Sequence, residues 1–528
     1  MDQPSAPSTP TSPASVAAPA SAGSAQSDMA APSAVSWRDL REWIDLVESH
    51  HGLARVRAEV DPVEELSAIT LMAAQTPEAP ALLFENLRDN PLGARVLSNM
   101  LGSSARRYAL TVGLNPDLSL PEMISASRAL LGRTLPPRWV DRATAPVNEV
   151  VLRGSDIDMT QFPVPKFWPA DGGRYIGTGD ITFTRDPASQ RINAGVYRQM
   201  LHSADRIGLY CSPGKHGRLD REAWWEQGKP CEVVAAYGID PALFMVGAQS
   251  YAFGESELDA AGGITGRPVE LCEAETVSLP IPANAEIVIE GILEPGETMP
   301  EGPLGEFTGY YGNPRSPQPV IRVTALHYRA RPIMTAALMA PYPACEIGAY
   351  YAIMRSAKIW SDLERFGVPG LCGVYAHPAA ASGWGMLVVS VRQQYAGHVA
   401  QVLALAAQCP AAAYYTKWII AVDDDVDPTD LNQVLWVMST RCDPSADVDL
   451  LRNTLSTGLD PSKGPSDERP YGSKALINAC KPHRHMHLFP KRTALRRSTY
   501  DKAISRWSEY GLPVPAPTIK VFEPEDKA

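Results

Sequence analysis

Two short stretches, Asn193-Ala-Gly-Val-Tyr-Arg198 and Glu301-Gly-Pro-Leu-Gly-Glu306, place one guanidinium and two carboxylates on glycine-containing segments. Glycine and proline separate the two glutamates, so a turn can hold both carboxylates over one cavity instead of along a helix face. Crowding raises the pKa of at least one carboxylate, whereas a bound arginine keeps its partner ionised, so acid and base roles separate near neutral pH. The two stretches therefore predict one active site.

Arg198 suits bidentate capture of a substrate carboxylate or of Glu301, and its guanidinium stays charged throughout. Taken alone, however, a strand arginine is more often a surface ion-pair partner, and a glutamate on a turn is usually only solvated. Asn193 and Arg198 are five residues apart, so on an unbroken strand they point to opposite faces. Gly195 between them predicts a bulge or bend.

Length and composition indicate a globular enzyme. The chain has 528 residues, of which 45% are hydrophobic, enough for two to four domains with large cores. Because no run of 18 uncharged apolar residues occurs, we expect no membrane span. The net charge of -11 disfavours a general nucleic-acid-binding protein. Small molecules or further copies of the chain are the expected partners.

The eight cysteines are scattered, without a Cys-x-x-Cys pair. A zinc knuckle or a redox motif is therefore not expected. The segment that begins with Met1 lacks a basic region followed by an apolar core, so no secretory signal is predicted. We expect reduced cysteines in a cytoplasmic protein.

Composition and periodicity divide the chain. Residues 1–35 are rich in Ala, Pro and Ser and predict a disordered tail. Helical spacing from Trp37 to Val47 predicts a helix with Ser36 as N-cap, followed by a strand from Leu53 to Val60. The expected domains are an N-terminal α/β segment (36–144), a β-rich domain (145–335), a C-terminal α/β domain (336–480), and a basic stretch with an oligomerisation helix (481–528).

The β-rich domain combines short apolar strands with glycine and proline punctuation, a pattern typical of a barrel or sandwich. Beyond it, apolar helices alternate with strands, as in an α/β domain. The segments that carry these predictions are strands at 180–184, 286–290, 320–325 and 418–422, a helix at 396–407, and a last helix at 498–510 that we expect to pack against another subunit.

Further motifs follow the first two in a fixed order. They are Ser212-Pro-Gly-Lys-His216, Glu257-Leu-Asp-Ala-Ala-Gly-Gly-Ile-Thr-Gly266, Ile420-Ala-Val-Asp-Asp-Asp-Val-Asp427, Val434-Leu-Trp-Val-Met-Ser-Thr-Arg-Cys-Asp-Pro444 and Gly472-Ser-Lys474. In order and spacing the whole series resembles the UbiD-like, prenylated-flavin-dependent decarboxylases, from residue 36 onward. The resemblance implies an α+β fold, with a central split β-barrel like that of flavin reductases and flanking N-terminal and C-terminal α/β domains.

The resemblance also implies a mechanism. Loss of CO2 from a conjugated acid needs an electron sink that no side chain provides, and prenylated FMN supplies it in this family. By carry-over, Glu301 forms an ion pair with Arg198, and Glu306 donates the proton that quenches the carbon after CO2 departs.

Asn193, His216 and Glu257 match the family's divalent-metal ligands, with Mn2+ expected first and Fe2+ or Mg2+ as alternatives. Spacing alone would leave Glu255 and Asp259 as competitors of Glu257. The implied role of the metal is to anchor the flavin phosphate, together with K+. The resemblance places further flavin or K+ contacts at Thr178, Gly195, Val196, Tyr197, Arg198, Lys215, Gln249 and Ser250, the last two within Gly247-Ala-Gln-Ser250.

Other charged features are expected to be structural. Asp423-Asp-Asp425 follows an apolar strand, as an ordinary strand end does, and His483, His485 and His487 lack the partners of a usual metal site. The basic stretch from Lys481 to Arg497 is typical of a solvated face or an oligomer contact. Contact with the phosphates of a coenzyme A tail is its alternative role.

The substrate expected from the resemblance is an aromatic acid or its CoA thioester, in preference to a phenylacrylic acid. The aromatics of the stretch 339–351 are expected to line the substrate side, and Asn478 stands where many relatives carry Asp. Two alternative functions of other classes remain: a flavin-free metal hydrolase and a noncatalytic assembly protein. A flavin prenyltransferase would supply the cofactor, and a homodimer or homohexamer is expected.

Overall fold

The computed structural model describes residues 34–249, 251, 254–312, 314–463, 471–519 and 522. Most of the predicted disordered tail therefore lies outside the described residues. Its last residue is ordered, contrary to the prediction: Val35 is buried, and its N–H donates to Thr265 O at 2.9 Å. The folded chain thus begins by packing against a later helix.

The N-terminal region consists of α1 (Leu40–Ser49), β1 (Leu53–Val56), α2 (Glu65–Ala73), β2 (Ala81–Phe84), β3 (Arg95–Ser98), α3 (Ala105–Thr111) and α4 (Leu120–Leu131). The prediction of Ser36 as N-cap is wrong. Asp39 caps α1 instead, accepting the N–H of Glu42 at 3.0 Å, because carboxylates satisfy exposed helix N–H groups well. The following strand ends at Val56, earlier than the predicted Val60.

The central region contains β4 (Arg138–Trp139), β5 (Val150–Arg153), β6 (Arg174–Gly177), β7 (Asp180–Arg185), β8 (Ile192–Gly195), β9 (Arg198–Ser203), β10 (Arg206–Tyr210), α5 (His216–Glu226), β11 (Cys231–Tyr237), α6 (Pro241–Gly247), α7 (Glu257–Thr265), β12 (Glu270–Glu273), β13 (Pro280–Pro282), β14 (Ile287–Glu301), β15 (Leu304–Gly305), β16 (Tyr311–Gly312), β17 (Ser316–Tyr328) and β18 (Ile333–Thr335). The strands predicted at 180–184, 286–290 and 320–325 correspond to β7, β14 and β17.

Within the described residues, nine strands form one curled sheet. Its main order is β6-β9-β10-β17-β14-β11-β7-β8, and β5 also pairs with β17. The chain crosses between opposite ends of this order twice, through residues 178–179 from β6 to β7 and through residues 196–197 from β8 to β9. Links of only two residues require both ends of the sheet to lie close together, so the sheet curls into a half-barrel with a seam.

Side chains hold the seam where the backbone ladder is interrupted. Gln199 on β9 donates through Nε2 to Asp180 Oδ2 at 2.9 Å and to Thr182 Oγ1 at 2.8 Å, both on β7. The Tyr237 hydroxyl donates to Gln199 Oε1 at 2.5 Å. Hydrogen bonds of this kind satisfy polar groups that the curled sheet buries.

β18 leaves the curled sheet and joins the N-terminal one, whose order is β1-β2-β3-β18. It pairs in parallel with β3, with Ile333 opposite Arg95. The domain boundary predicted at residue 335 assigned this segment to the β-rich domain, because the period of a strand does not reveal its pairing partner. The N-terminal and central regions are therefore joined through a shared strand.

The C-terminal region consists of α8 (Ala349–Arg365), β19 (Leu371–Ala376), β20 (Met386–Val391), α9 (His398–Gln408), α10 (Pro410–Ala413), β21 (Trp418–Asp423), α11 (Leu431–Arg441), β22 (Val448–Leu455) and β23 (Tyr471–Ala479). Its sheet runs in the order β19-β20-β21-β23-β22, with β20, β21 and β23 parallel. The helix predicted at 396–407 and the strand predicted at 418–422 match α9 and β21 to within two residues. Helices on both faces of this sheet confirm the α/β prediction.

The segment after Cys480 ends in α12 (Arg497–Ser505) and a short 3-10 turn, Trp507–Tyr510. Among its described residues none is buried. Such a segment gains little by packing on its own chain.

Two further expectations concern the whole chain. All eight cysteines lie in described residues and are free thiols. In the portions of the chain that the structure describes, no helix has the length and apolar character needed to cross a bilayer.

Candidate active site

Arg198, the first residue of β9, joins the two predicted glutamates. Its Nη2 donates to Glu301 Oε2 at 2.7 Å, and its Nη1 donates to Glu306 Oε1 at 3.0 Å. Only 1% of Glu301 and 8% of Glu306 is exposed. The Arg198 guanidinium also lies over the ring of Tyr210, with Cζ 4.5 Å from the ring centroid. One side chain thus fixes two carboxylates that would otherwise repel each other.

The turn that carries the glutamates rests on Asp171, which sequence reasoning missed. Asp171 Oδ1 accepts the N–H of Gly305 at 3.0 Å, and Oδ2 accepts the N–H of Trp168 at 2.8 Å. Gly305 leaves no space for a side chain, because a Cβ there would lie 2.2 Å from the Trp168 ring. The glycines of the 301–306 stretch therefore permit close packing, and the Asp171-Gly-Gly173 sequence was the available signal.

The two carboxylates do not have equal surroundings. Burial raises the pKa of Glu306 to about 7, although Arg198 opposes this and the nearby Glu301 and Asp171 charges add to it. Burial by itself would lower the pKa of Arg198, but Glu306 and Glu301 together raise it above its ordinary value. The cluster therefore contains a permanent cation and a carboxyl group that can hold a proton near neutral pH.

A cavity of about 100 Å³ lies beside Glu306. Its lining residues are Trp168, Gly305, Glu306, Gly309, Tyr310, Tyr311, Met339, Ala340 and Pro341. The residues 339–341 belong to the stretch expected to line the substrate side. Tyr350 and Tyr351, from the same stretch, are instead buried core residues, and Tyr351 stacks on Trp384 at a centroid distance of 4.6 Å.

An aromatic wall lies next to the glutamate turn, where Phe307 of the central region meets Tyr351, Trp384, Tyr414 and Tyr415 of the C-terminal region. The Phe307 ring lies 6.0 Å from Trp384 and 6.1 Å from Tyr415. Burial raises the pKa of Tyr414 to about 12, and the charge of Glu306 contributes to the rise. An apolar, aromatic boundary of this kind keeps water from a buried acid.

The three predicted metal ligands come from three different elements. Asn193 lies on β8, whereas His216 and Glu257 are the first residues of α5 and α7. Glu257 Oε2 accepts the N–H of Ala194 at 3.4 Å, which places this carboxylate beside Asn193. Both helices pack against β8, so their N-terminal ends converge on one strand.

Tyr197 connects the first two of these residues. Its hydroxyl accepts the Asn193 Nδ2 hydrogen at 3.2 Å and the N–H of Gly217, the neighbour of His216, at 3.0 Å. The ring fits between two glycines, because a Cβ on Gly195 or Gly217 would lie 2.5 Å or 2.7 Å from it. Gly195 also ends β8, so Asn193 and Arg198 lie on separate strands and not on either side of a bulge.

The donor set fits a hard to borderline divalent cation. The Asn193 amide nitrogen donates to Thr184 and Tyr197, which leaves its carbonyl oxygen as a ligand. Burial lowers the pKa of His216, so the imidazole is neutral, and burial raises the pKa of Glu257 although the charge of Arg191 opposes the rise. A neutral imidazole, an amide oxygen and a carboxylate suit such a cation. Among the described residues no three His, Cys, Asp or Glu side chains converge. The predicted set contains only two such side chains, His216 and Glu257, because its third ligand is the amide oxygen of Asn193.

Of the remaining predicted cofactor contacts, Thr178 and Val196 lie on the two links of the seam. Thr178 lies on the 178–179 link and accepts the N–H of Ala337 through Oγ1 at 3.1 Å. Val196 lies on the other link, and its N–H donates to Gly247 O at 3.2 Å. Gln249 is buried, and its Nε2 has no partner among the described residues. Lys215 precedes α5, with Nζ 5.8 Å from the Tyr414 ring centroid. Ser250 lies outside the described residues.

The features expected to be structural agree with that interpretation. Arg441 donates to Asp423 and to Asp425 at 2.8 Å each, so these aspartates form ion pairs at a strand end. His483, His485 and His487 are exposed. Asn478 Nδ2 donates to Asp447 at 3.4 Å, away from the glutamate turn.

Models of known families match almost the whole ordered chain. Residues 44–127 match the N-terminal domain, residues 138–342 the Rift-related domain, and residues 350–479 the C-terminal domain of 3-octaprenyl-4-hydroxybenzoate carboxy-lyase. Pyrrole-2-carboxylic acid decarboxylase of Pseudomonas aeruginosa is 33% identical over 494 residues, which cover 90% of this chain and 98% of that protein.

Solved structures agree with these matches. The UbiD-class enzyme HmfF from Pelotomaculum thermopropionicum in complex with FMN superposes with a TM-score of 0.75 at 28% identity, covering 87% of this chain and 97% of its own. An evolved dimeric form of HmfF contains prFMN and gives a TM-score of 0.73. Vanillic acid decarboxylase of Sedimentibacter hydroxybenzoicus in closed form gives 0.79 at 26% identity, covering 90% and 100%.

The fold, together with these matches, defines the chain as a carboxy-lyase. It belongs to the UbiD family.

Proposed function

We propose that this enzyme removes CO2 from a single-ring aromatic or heteroaromatic carboxylic acid, with prenylated FMN as cofactor. The observation that carries the proposal is the buried set in which Arg198 bridges Glu301 and Glu306 beside a small cavity. A carboxyl group with a pKa of about 7 serves as a proton donor under physiological conditions. Exposed ion pairs provide neither this pKa nor this geometry.

Each residue of the set has a separate task. Glu306, protonated and at the cavity wall, donates the proton that replaces CO2 on the substrate carbon. Arg198 holds the substrate carboxylate or keeps the two glutamates apart, because its charge does not titrate. Glu301 anchors the guanidinium on the side away from the cavity. The aromatic wall packs beside the glutamate turn and limits its contact with water, and Glu306 is the titratable acid that lines the cavity.

The cofactor proposal rests on the seam of the curled sheet. We place the flavin there, between a split barrel of the flavin-reductase type and the C-terminal region, against Thr178, Val196, Tyr197, Lys215 and Gln249. When bound, prenylated FMN supplies the electron sink that decarboxylation of a conjugated acid requires. Asn193, His216 and Glu257 hold a divalent cation, Mn2+ first, which anchors the flavin phosphate, and K+ accompanies it.

The substrate class follows from the cavity and the relatives. A cavity of about 100 Å³ with aromatic and proline walls favours one flat ring. Two relatives are named for pyrrole-2-carboxylic acid and vanillic acid, both single-ring acids. A phenylacrylic acid has a longer side chain and is the less favoured candidate. For a CoA thioester, charge reversal at Arg496 and Arg497 would weaken binding, whereas turnover of a free acid would be unchanged.

Assembly is proposed from the exposed C-terminal segment. Residues 481–519, none of them buried in one protomer, form an arm suited to contact a second copy of the chain. A homodimer or a homohexamer would cover it, and one relative has been evolved to a dimeric form. Supply of prenylated FMN requires a flavin prenyltransferase, and we place the enzyme in the cytoplasm with it.

The test is mass spectrometry of the cofactor released from protein that has been co-expressed with a flavin prenyltransferase, combined with metal analysis. Prenylated FMN, a stoichiometric divalent metal, and CO2 release from pyrrole-2-carboxylate or vanillate are the expected results. Metal without flavin, and activity that survives flavin removal but not chelation, would favour a metal hydrolase. Bound flavin with no turnover of any acid tested would favour an assembly protein.

A further inference from the structure

His202 lies on the same face of β9 as Arg198. The neighbouring strand β10 pairs with β9 and places Tyr210 opposite Arg198 and Gly208 opposite Met200. β9 has a bulge at His202, because Ile207 pairs with Leu201 and Arg206 with Ser203. The imidazole of His202 reaches the side-chain position of Gly208, which faces the same way as Met200 and Arg198. This face of the two strands therefore contains the arginine, its aromatic support, a glycine and a histidine.

Gly208 allows His202 and Glu301 to approach each other. A Cβ on Gly208 would lie 2.7 Å from His202 Nε2 and 3.6 Å from Glu301 Cγ. The first distance is too short for a real Cβ, so the position of His202 depends on the glycine, whereas the second is an ordinary van der Waals distance. The imidazole and the Glu301 side chain thus both lie next to the side-chain position of Gly208.

Two buried polar atoms near this glycine lack partners. Among the described residues, His202 Nε2 and Glu301 Oε1 are both buried without a hydrogen bond. The other carboxylate oxygen of Glu301, Oε2, is the one that binds Arg198. Buried polar groups in native proteins are almost always satisfied, directly or through an ordered water. His202 Nε2 can be the donor and Glu301 Oε1 the acceptor, and both side chains lie next to the side-chain position of Gly208.

We propose that His202 is a positioning residue for the decarboxylation: its Nε2–H donates to Glu301 Oε1 across the space over Gly208, directly or through one water, and so keeps Oε2 on Arg198. The proposal rests on the proposed function, because it assigns His202 a task within that catalytic set. His202 itself touches neither the cavity nor Glu306.

The consequence for catalysis follows from the charges that face each group. His202 faces Glu301 and Arg315, and burial lowers the pKa of His202 while Glu301 raises it. Glu301 also faces Tyr175, and Glu306 faces Arg198, Glu301, Asp171 and Tyr414. If Glu301 is no longer held, Arg198 turns more fully to Glu306 and lowers the pKa of Glu306. Glu306 then loses its proton at a lower pH. As a result, the decline of kcat on the basic side of the pH profile begins at a lower pH.

The first experiment requires no turnover. In protein labelled on its ten histidines, the NMR signal of His202 is identified by its absence in His202→Gln and is followed through a pH titration. Glu301→Gln removes the attracting charge, so the pKa of His202 should fall. Glu306→Gln is the matched control and should leave it unchanged. An unchanged His202 titration in Glu301→Gln would overturn the proposal.

The second experiment measures the rate of the flavin-loaded enzyme against pH. His202→Leu should lower kcat about tenfold, the loss expected for one hydrogen bond to a charged group, with KM, flavin content and Tm unchanged. The basic limb of the pH–rate profile of this variant should move to lower pH. His202→Gln, which keeps a donor, should restore both kcat and the pH profile. Gly208→Ala, which displaces His202, should reproduce the loss of kcat.

Wild-type kcat and pH profile in His202→Leu would refute the positioning role. Equal defects in His202→Gln and His202→Leu would also refute it, since they would indicate packing and not a hydrogen bond. If wild-type enzyme decarboxylates no acid, the proposed function fails, and the NMR titration still decides whether His202 and Glu301 interact.

Discussion

Arg198 Nη1 donates to Glu306 Oε1 at 3.0 Å, inside a region where both side chains are more than nine-tenths buried. The arginine cannot lose its charge, so it can respond to Glu306 only by opposing its protonation. Burial nevertheless prevails and raises the pKa of Glu306 to about 7. The balance between these two residues sets the pH range in which Glu306 holds a proton, which is the state that the proposed donor role requires.

Glu306→Gln should reduce kcat by more than about 10²-fold, since an amide cannot replace a general acid. In the unaltered enzyme kcat should fall as pH rises above about 7, because Glu306 donates only when protonated. Stopped-flow measurement of CO2 release checks both. Glu297→Gln, on β14 with a 36% exposed side chain, is the control and should be neutral.

The raised pKa of Glu306 also affects stability. A carboxyl group that holds its proton more tightly when folded stabilises the protein fully below its unfolded pKa and loses this contribution as pH rises through the folded value. The free energy of unfolding should therefore decline between about pH 4.5 and 7. Urea titrations should show a smaller decline in Glu306→Gln. An equal slope in both proteins would contradict the buried, protonated carboxyl.

Arg198→Met should destabilise the fold by about 3–5 kcal/mol, because it leaves two buried carboxylates without their cation. Urea unfolding measures the change. Arg322→Met is the control: its pair with Glu294 is 40% exposed and should cost less than about 1 kcal/mol. A triple variant that combines Arg198→Met with Glu301→Gln and Glu306→Gln removes all three charges. It should recover part of the lost free energy of unfolding. No recovery would indicate that the arginine acts mainly by packing.

His216→Ala and Glu257→Gln should each lower metal and flavin content together, because the proposed cation anchors the flavin phosphate. Elemental analysis and flavin absorbance of the purified protein give both values. His485→Ala, an exposed histidine, is the matched control. Full flavin occupancy without metal would remove the anchoring role from this set.

Deletion of the chain after Lys481 should leave the free energy of unfolding of the protomer nearly unchanged but reduce the number of subunits. None of the described residues 481–519 is fully buried on its own chain, although Arg492 Nη1 donates to Asp425 O at 3.2 Å. Light scattering after size-exclusion chromatography measures the mass. An unchanged oligomer would show that the arm is not the contact.

Much of the catalytic set could be predicted from the sequence, because it occupies short motifs. Arg198, Glu301 and Glu306 were predicted as one group, and the structure brings them within hydrogen-bonding distance. Asp171 and Tyr210 were missed, since an aspartate before two glycines and a tyrosine on a strand are common. Their contribution depends on contacts with Gly305 and Arg198, and no local pattern encodes these.

Local sequence signals also predicted the positions of most helices and strands. The errors occur where tertiary contacts determine the bounds or the pairing of an element. Trp37 has helical spacing but precedes α1, because Asp39 offers the better cap. The short strand Ile333–Thr335 has the composition of its neighbours yet pairs with β3, more than 200 residues earlier. Strand pairing is set by long-range packing, and a period of two residues contains no information about the partner.

The sequence by itself determined the family, the residue types of the site and their order along the chain. Only the tertiary structure decided that Asn193 and Arg198, five residues apart, lie on strands from opposite ends of the sheet order. It also decided that His202 and Glu301 both lie next to Gly208. The physical reason is that chemistry depends on side-chain identity, which is local, whereas burial, pKa and proximity depend on how distant segments pack.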